Sequence, residues 1–247
     1  MLFVPLFKEF ILSCPVKSDI FGSIILTVIS PFQDEMLKLF PSLPDSSSFY
    51  LTRGTALAHF YLQHRKSYDL DFFTSEEHLI DPFSRRFEAL VQSQSLKTDR
   101  RRSLKSFVEI FVIRGEETCV IQFAQDSPFR FEPPQEFPAY PGLKVDSLRE
   151  IASNKVLALF GRAALRDFID LYVLIHEAKF DPKRLMKEAQ QKDQGFDLYW
   201  FGVALERINS YTAESQEMLM LLKPISFSSL QSFFNDWRRK VSESLLK

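Results

Sequence analysis

The sequence predicts an α+β fold, a small mixed sheet with its own helices followed by a helical second half. Strand-like runs rich in aromatic and β-branched residues are confined to the chain before residue 125. A Pro-rich connection, FEPPQEFPAYPG, then interrupts it. Beyond that point the pattern is helical, opening on a capping box at Ser147-Leu148-Arg149-Glu150. The predicted organisation is an apolar extension over residues 1–29, a core over 30–145 and a helical domain over 146–247.

Each element has a local reason. Ser30-Pro31-Phe32-Gln33 has the form of a helix start, with Ser as cap, Pro at the first helical position and Gln three residues after the cap. That helix runs to about Phe40. PSLPDSSS is a loop, and Phe49 to Leu51 a short strand. From Thr55 to about His64, Ala56, Leu57, Phe60 and Tyr61 recur at helical spacing. Tyr68 to Thr74 is an aromatic strand, and Asp81-Pro82 opens a helix that ends near Gln92. Phe107–Ile113 and Thr118–Ala124 are strands joined by the turn RGEE. The helical half holds one helix carrying IASNKVLALF and ending at Gly161, then RAALRDFIDLYVLIHEA, then a third capped by Asp181-Pro182, with two or three more to the C-terminus.

Composition excludes several classes. Of 247 residues 45% are hydrophobic and 26 are Phe, so the core is aromatic. A net charge of −1 excludes a strongly basic nucleic-acid binder, leaving only local patches. Cys14 and Cys119 have no C-x-x-C spacing, which argues against a disulfide framework or zinc site and suits a reducing cytoplasm. Walker, Rossmann and G-x-S-x-G spacings are missing. The first 30 residues are apolar, but the longest uncharged run, Ile20 to Gln33, is too short to span a bilayer; they read as a peripheral helical extension.

The stretch from Gly54 to Phe73 carries the chemistry. Asp69 and Asp71 sit at i and i+2 on a strand, so both carboxylates share one face. Held close, they repel each other and favour a divalent cation, for which Mg²⁺ suits one or two carboxylates plus substrate phosphates. Gly54-Thr55 lies between a strand and a helix, where backbone N–H groups suit a phosphate. The Thr55 hydroxyl either caps the helix or donates to a phosphate oxygen. Lys155 falls near the apolar face of its helix, and a bound phosphate would offset the cost of burying it. His64 is placed to line the cleft. Asp167 and Asp170 could equally pair with Arg162 or Arg166 at helical spacing.

FYLTRGTALAHFYLQHRKSYDLDFF resembles the signature of the AbiEii/AbiGii-type nucleotidyltransferase toxins, a branch of the DNA polymerase β-like superfamily. SLREIASNKVLALFGRAALRDFIDLYVL is similar to the family's later Lys and Asp motifs, and the likeness spans roughly residues 30 to 245. It implies a polymerase β-like core, a phosphate-binding turn at Gly54 and Thr55, and metal ligands at Asp69 and Asp71. It further implies that Lys155 reaches the triphosphate, that Asp167 is the later catalytic acid with Asp170 its rival, and that Arg65 and Ser67 assist nucleotide binding. The implied activity is Mg²⁺-dependent transfer of a nucleoside monophosphate from an NTP to the 3′ end of a tRNA, as a cytoplasmic toxin countered by a separately encoded antitoxin.

Two departures qualify the likeness. Arg53 stands where the family has the first glycine of Gly-Gly-Thr, where it either tightens the turn or adds a phosphate contact. Gln122 stands in CVIQFAQD where a third carboxylate is expected, with Asp126 as its potential replacement. Both features favour the rival reading, a weakened member that binds nucleotide or a partner without transfer. The run KTDRRRSLK, with Lys97, Arg100, Arg101, Arg102 and Lys105, is predicted to be a loop and is a candidate RNA contact.

Overall fold

The computed structural model describes residues 27–246. Almost all of the expected apolar extension, residues 1–26, therefore lies outside the described residues. Helix α1 (Pro31–Leu39) begins as predicted: the Ser30 hydroxyl accepts from the Gln33 amide, and the Gln33 side chain accepts from the Ser30 amide. Strand β1 (Tyr50–Thr52) leads into one short turn of helix, α2 (Arg53–Thr55). The chain continues as a π-helix over Ala56–Leu62, where an ordinary helix was expected. Its last bond, from the Gln63 amide to the Ala58 carbonyl at 2.7 Å, spans five residues. Strand β2 (Asp69–Thr74) follows.

Helix α3 (Glu77–Ser93) starts a turn earlier than expected, so Asp81 is not its cap and Pro82 lies inside it. Strand β3 (Lys97–Leu104) is the basic run itself, which corrects the prediction of a loop. It forms one edge of the sheet, a position that tolerates a charged strand. Strands β4 (Phe107–Arg114) and β5 (Glu117–Gln125) match the two predicted ones. The Pro-rich connection contains two strands that the sequence did not suggest, β6 (Gln135–Phe137) and β7 (Tyr140–Val145).

The seven strands form one mixed sheet in the order β3-β4-β5-β2-β1-β7-β6. Strand β2 is central, parallel to β5 and antiparallel to β1. Alternation along β2 sends Leu70 and Phe72 into the core, where Phe72 stacks on Phe40 with ring centroids 3.8 Å apart. Asp69 and Asp71 take the opposite face.

Helix α4 (Leu148–Arg162) is capped by Ser147, which accepts from the Glu150 amide. The capping box is only half formed, because the Glu150 carboxylate accepts instead from the Phe131 and Glu132 amides and from Lys192. The helix does not stop at Gly161. It runs to Arg162 and is closed by Ala163 in the left-handed region at φ 48°. Helices α5 (Leu165–His176), α6 (Pro182–Lys192), α7 (Leu198–Glu206), α8 (Gln216–Leu219) and α9 (Phe227–Leu245) complete the chain. Asp181 caps α6 as predicted. Most buried apolar residues of the sheet and of the helices belong to one cluster, from Val28 to Val241, while Tyr50, Phe73 and Ala124 form a small second one. No helix among the described residues is long and apolar enough to cross a membrane.

Candidate active site

The face of the sheet that carries Asp69 and Asp71 opens on a cleft of about 620 Å³, with Gly54, Arg65, Ser67, Gln122 and Lys155 also on its wall. Residues as distant in sequence as Gly54 and Lys155 thus converge as the motifs implied, and the local reasons are visible. Strands β1 and β2 pair with Thr52 opposite Asp71, so the turn that follows β1 lies beside the acidic pair. In that turn the left-handed backbone belongs to Arg53, at φ 60°. Gly54 is required for another reason, since a Cβ there would come within 2.8 Å of the Arg65 guanidinium and 3.4 Å of the Ser67 hydroxyl. Glycine at 54 permits the close approach of these side chains.

Thr55 is fully buried and does not line the cleft. Its hydroxyl lies 2.7 Å from that of Ser67 and also bonds to the Asp69 carbonyl. Neither role expected of it, helix cap or phosphate donor, describes this position. Thr55 braces the turn against the start of β2.

Below the cleft a buried ionic network ties α4 and α5 to the loop before β2. Asp170, fully buried, accepts from Arg65 Nε at 2.7 Å and Nη2 at 2.9 Å. It also takes His64 Nε2 at 2.7 Å and Lys155 Nζ at 2.5 Å. Asp167 takes Lys155 Nζ at 3.3 Å and two bonds from Arg162, at 2.7 and 2.9 Å. Lys155 is therefore a buried lysine with two carboxylate partners, not the unpaired one that its position on the helix suggested. Asp167 does pair with Arg162, whereas the partners of Asp170 are Arg65, His64 and Lys155 rather than Arg162 or Arg166. Burial would push the Asp170 carboxyl up, but Arg65 and Lys155 outweigh it and hold it well below the usual range. Burial opposes the charge of Asp167 too, and its Arg162 bonds overcome that and lower it.

The Asp71 carboxyl shifts the other way. Burial pushes it up, the neighbouring Asp69 adds to this, and Arg53 opposes both with Nη1 3.2 Å from Oδ1. A cation placed between the two carboxylates would relieve that cost. The pair fits a magnesium ion that takes its remaining ligands from water and phosphate. Among the described residues no group of three or more His, Cys, Asp or Glu is placed to hold a metal ion.

Strand β5 does supply the neighbour of Asp71, and it is Gln122. Its amide donates to the Glu109 carboxylate at 2.9 Å, one strand further on. Sequence reading missed Glu109, which also meets Arg102 at 3.6 Å. Asp126 does not replace the missing acid. It accepts from the Tyr50 hydroxyl, lies 3.6 Å from Arg130 and lines a smaller neighbouring pocket.

Of the basic run only Arg102 lines the cleft. Arg100 is held by Glu88, Arg101 by Asp99 at 2.7 Å and Lys105 by Glu77 at 2.7 Å. Further cations were not singled out for the cleft from sequence: Lys66, Arg162 and Arg166. The spacing of Arg162, seven residues after Lys155 on the same helix, was the available signal. Nothing local announced Gln216, Glu217 and Met220, which reach the cleft because the Lys66 backbone amide donates to the Met220 carbonyl and the Leu222 amide to that of His64, both at 2.9 Å.

His64 is buried beneath the cleft and does not line it. Its Nε2–H donates to Asp170, while Nδ1 has no partner among the described residues. Burial outweighs the pull of Asp170 and lowers the imidazole from its ordinary 6.5. Because the unfolded chain then takes the proton first, the stability this group contributes above pH 6.5 is lost as pH falls below it. We expect His64→Gln to flatten the fall in unfolding free energy between pH 6.5 and 5 by up to about 1.4 kcal/mol per pH unit. Denaturant unfolding of both proteins across that range measures it, and parallel pH profiles would refute it.

The model of the AbiEii family, described as nucleotidyl transferase AbiEii toxin of type IV toxin–antitoxin systems, matches residues 36–243. The chain belongs to this family. A relative from Aquifex aeolicus (strain VF5), the uncharacterized protein aq_aa25, is 29% identical over 215 residues, covering 86% of this chain and 96% of its own. Among solved structures, JHP933 from Helicobacter pylori superposes with a TM-score of 0.58 at 16% identity, over 86% of this chain and 90% of that one. MenT4, a nucleotidyltransferase toxin from Mycobacterium tuberculosis H37Rv, gives a TM-score of 0.48 at 16% identity, over 87% and 90%. The chain thus belongs to a family of nucleotidyltransferase toxins and shares its mixed sheet and C-terminal helices with JHP933.

Proposed function

We propose that the protein transfers a nucleoside monophosphate from an NTP to an acceptor hydroxyl, with release of pyrophosphate. The carrying observation is one cleft in which two strand carboxylates face Lys66, Lys155, Arg162 and Arg166. The acceptor hydroxyl gives its proton to water and its oxygen bonds to the α-phosphorus as the bridge to the β-phosphate breaks, with negative charge growing on the departing pyrophosphate. Lys155 and Arg162 are suited to receive that charge, held by Asp167 and Asp170 so that little reorganisation accompanies it. Mg²⁺ bound by Asp69 and Asp71 would stabilise the attacking and leaving oxygens. Gly54, Ser67 and Arg65 shape the turn against which the phosphates lie. In this reading residues 30–145 form the transferring core and residues 146–247 supply Lys155. The proposed acceptor is the 3′ end of a tRNA, the setting is the cytoplasm, and a separately encoded antitoxin opposes the effect. Arg102, alone of the basic run in the cleft, is the residue best placed to meet an acceptor phosphate.

The second reading, a module that binds nucleotide without transfer, is favoured by Gln122 and Arg53 beside the acidic pair. Incubation with each labelled NTP in turn, Mg²⁺ and total tRNA separates the two. Label joining RNA supports transfer, and NTP binding without incorporation supports the module.

Lys155→Ala is expected to lower kcat/KM for NTP by about 10²-fold, the usual effect of deleting one preorganised charge at a transferring phosphate. Because the lysine is also bonded to two buried aspartates, the variant should lose about 1–3 kcal/mol of stability as well. Steady-state kinetics and denaturant melts read the two effects separately. Unchanged kinetics with the stability loss would leave Lys155 a structural residue only.

A further inference from the structure

Arg53 combines three features. Its backbone sits at φ 60°, in the region that favours glycine, although its side chain is long and charged. Its guanidinium lies over the Phe73 ring, 4.6 Å from the centroid, and its Nη1 is 3.2 Å from Asp71 Oδ1. Finally, the side chain is 48% exposed, whereas that of Asp71 is 9% exposed. The arginine therefore has open space into which it can swing, whereas Asp71 is nearly buried where it lines the cleft.

We propose that Arg53 is a displaceable internal counter-ion of the acidic pair, holding Asp71 until a divalent cation takes its place. The inference rests on the reading of Asp69 and Asp71 as metal ligands. A guanidinium and a divalent cation compete for the same carboxylate lone pairs, and two positive charges cannot share them closely. Arg53 reaches only Oδ1, through one nitrogen, so metal arriving at Asp71 would push the guanidinium away by charge repulsion. The expelled side chain stays at the mouth where the cleft meets the smaller pocket, since Arg53 and Lys155 line both. There it faces the space that triphosphate oxygens would fill, and contact with them would favour the metal-loaded arrangement. Metal and NTP then bind with positive coupling, because each favours the same position of Arg53. Phe73 gives the guanidinium a flat surface that it can leave without disturbing the core.

Metal binding itself tests this, with Mn²⁺ as the probe and the electron paramagnetic resonance signal of free Mn²⁺ as the readout on the full chain. Arg53→Gln, which removes the charge, and Arg53→Gly, which also relieves the backbone, should each bind Mn²⁺ roughly three- to tenfold more tightly than the unaltered protein. Adding Asp71→Asn should abolish that gain. In the unaltered protein a saturating non-hydrolysable NTP analogue should tighten Mn²⁺ binding more than it does in Arg53→Gln. Equal Mn²⁺ affinities in all three proteins would overturn the inference. A gain confined to Arg53→Gly would overturn it too, since the turn and not the charge would then be responsible. The titration needs no turnover: a protein that bound Mn²⁺ as described yet labelled no RNA would refute transfer and leave this inference standing. Absence of Mn²⁺ binding in every variant would refute both.

Discussion

Asp69→Asn and Asp71→Asn should each lower kcat/KM for transfer by about 10³-fold or more, and both proteins should remain folded. The reason lies in how the two carboxylates are held. They project from the central strand onto the open face of the sheet, while the intervening Leu70 and the following Phe72 fix the strand from the core side. Asparagine at either position keeps the strand and its packing but removes the charge that would hold a metal. Stability should change by no more than about 1 kcal/mol, because Asp71 is ionised at a cost: burial and Asp69 both oppose its charge, and only Arg53 favours it closely. Turnover with NTP and RNA, together with a denaturant melt, checks both halves. Folded variants that keep near-normal turnover would remove Asp69 and Asp71 from the reaction.

The parts of this site that were legible in the sequence are those whose cause is local. Alternation along one aromatic strand determines which face the two aspartates share, and no distant residue is needed to see it. The caps at Ser30, Ser147 and Asp181 likewise follow from bonds that span three residues. The failures have causes that local patterns do not contain. Strand β3 carries no apolar alternation because it is an edge strand with little to bury. Strand β7 contains Pro141 and Gly142, which read as a turn, yet Leu143 and Val145 are fully buried and Leu51 lies opposite Val145. Arg65 and Asp170 are 105 residues apart, and their pairing is decided by how α5 packs beneath the loop before β2. From the sequence Lys155 could only be weighed as an unpaired charge, since both of its partners are brought to it by the turn at Ala163.

That turn and its ionic network bear on which late aspartate matters more. Asp170→Asn should cost about 3–5 kcal/mol, the range expected when one member of a buried ion pair is removed. Asp170 is fully buried and takes both nitrogens of the Arg65 fork, and the Arg65 side chain is itself only 6% exposed. Asparagine offers one acceptor oxygen where two were used, and turns an amide donor toward a cation. Arg65 would remain buried with its charge uncompensated, directly beneath Gly54. Asp167→Asn should cost less, about 1–2 kcal/mol, because Arg162 is 45% exposed and can turn to water while the buried Lys155 keeps Asp170. In a chain of 247 residues the first loss corresponds to a fall in Tm of roughly 8–15 °C, and the second to roughly half of that or less. The order of the two is the informative result. A fork that positions Arg65, and through it the turn at Gly54, makes Asp170 the larger structural residue, and its loss should reduce turnover only in step with the folded fraction and the disturbed turn. If Asp170→Asn instead melted like the unaltered protein while transfer collapsed, the carboxylate would be acting on substrate, and the network would have to be redrawn with Asp170 as a catalytic acid and Arg65 as its attendant.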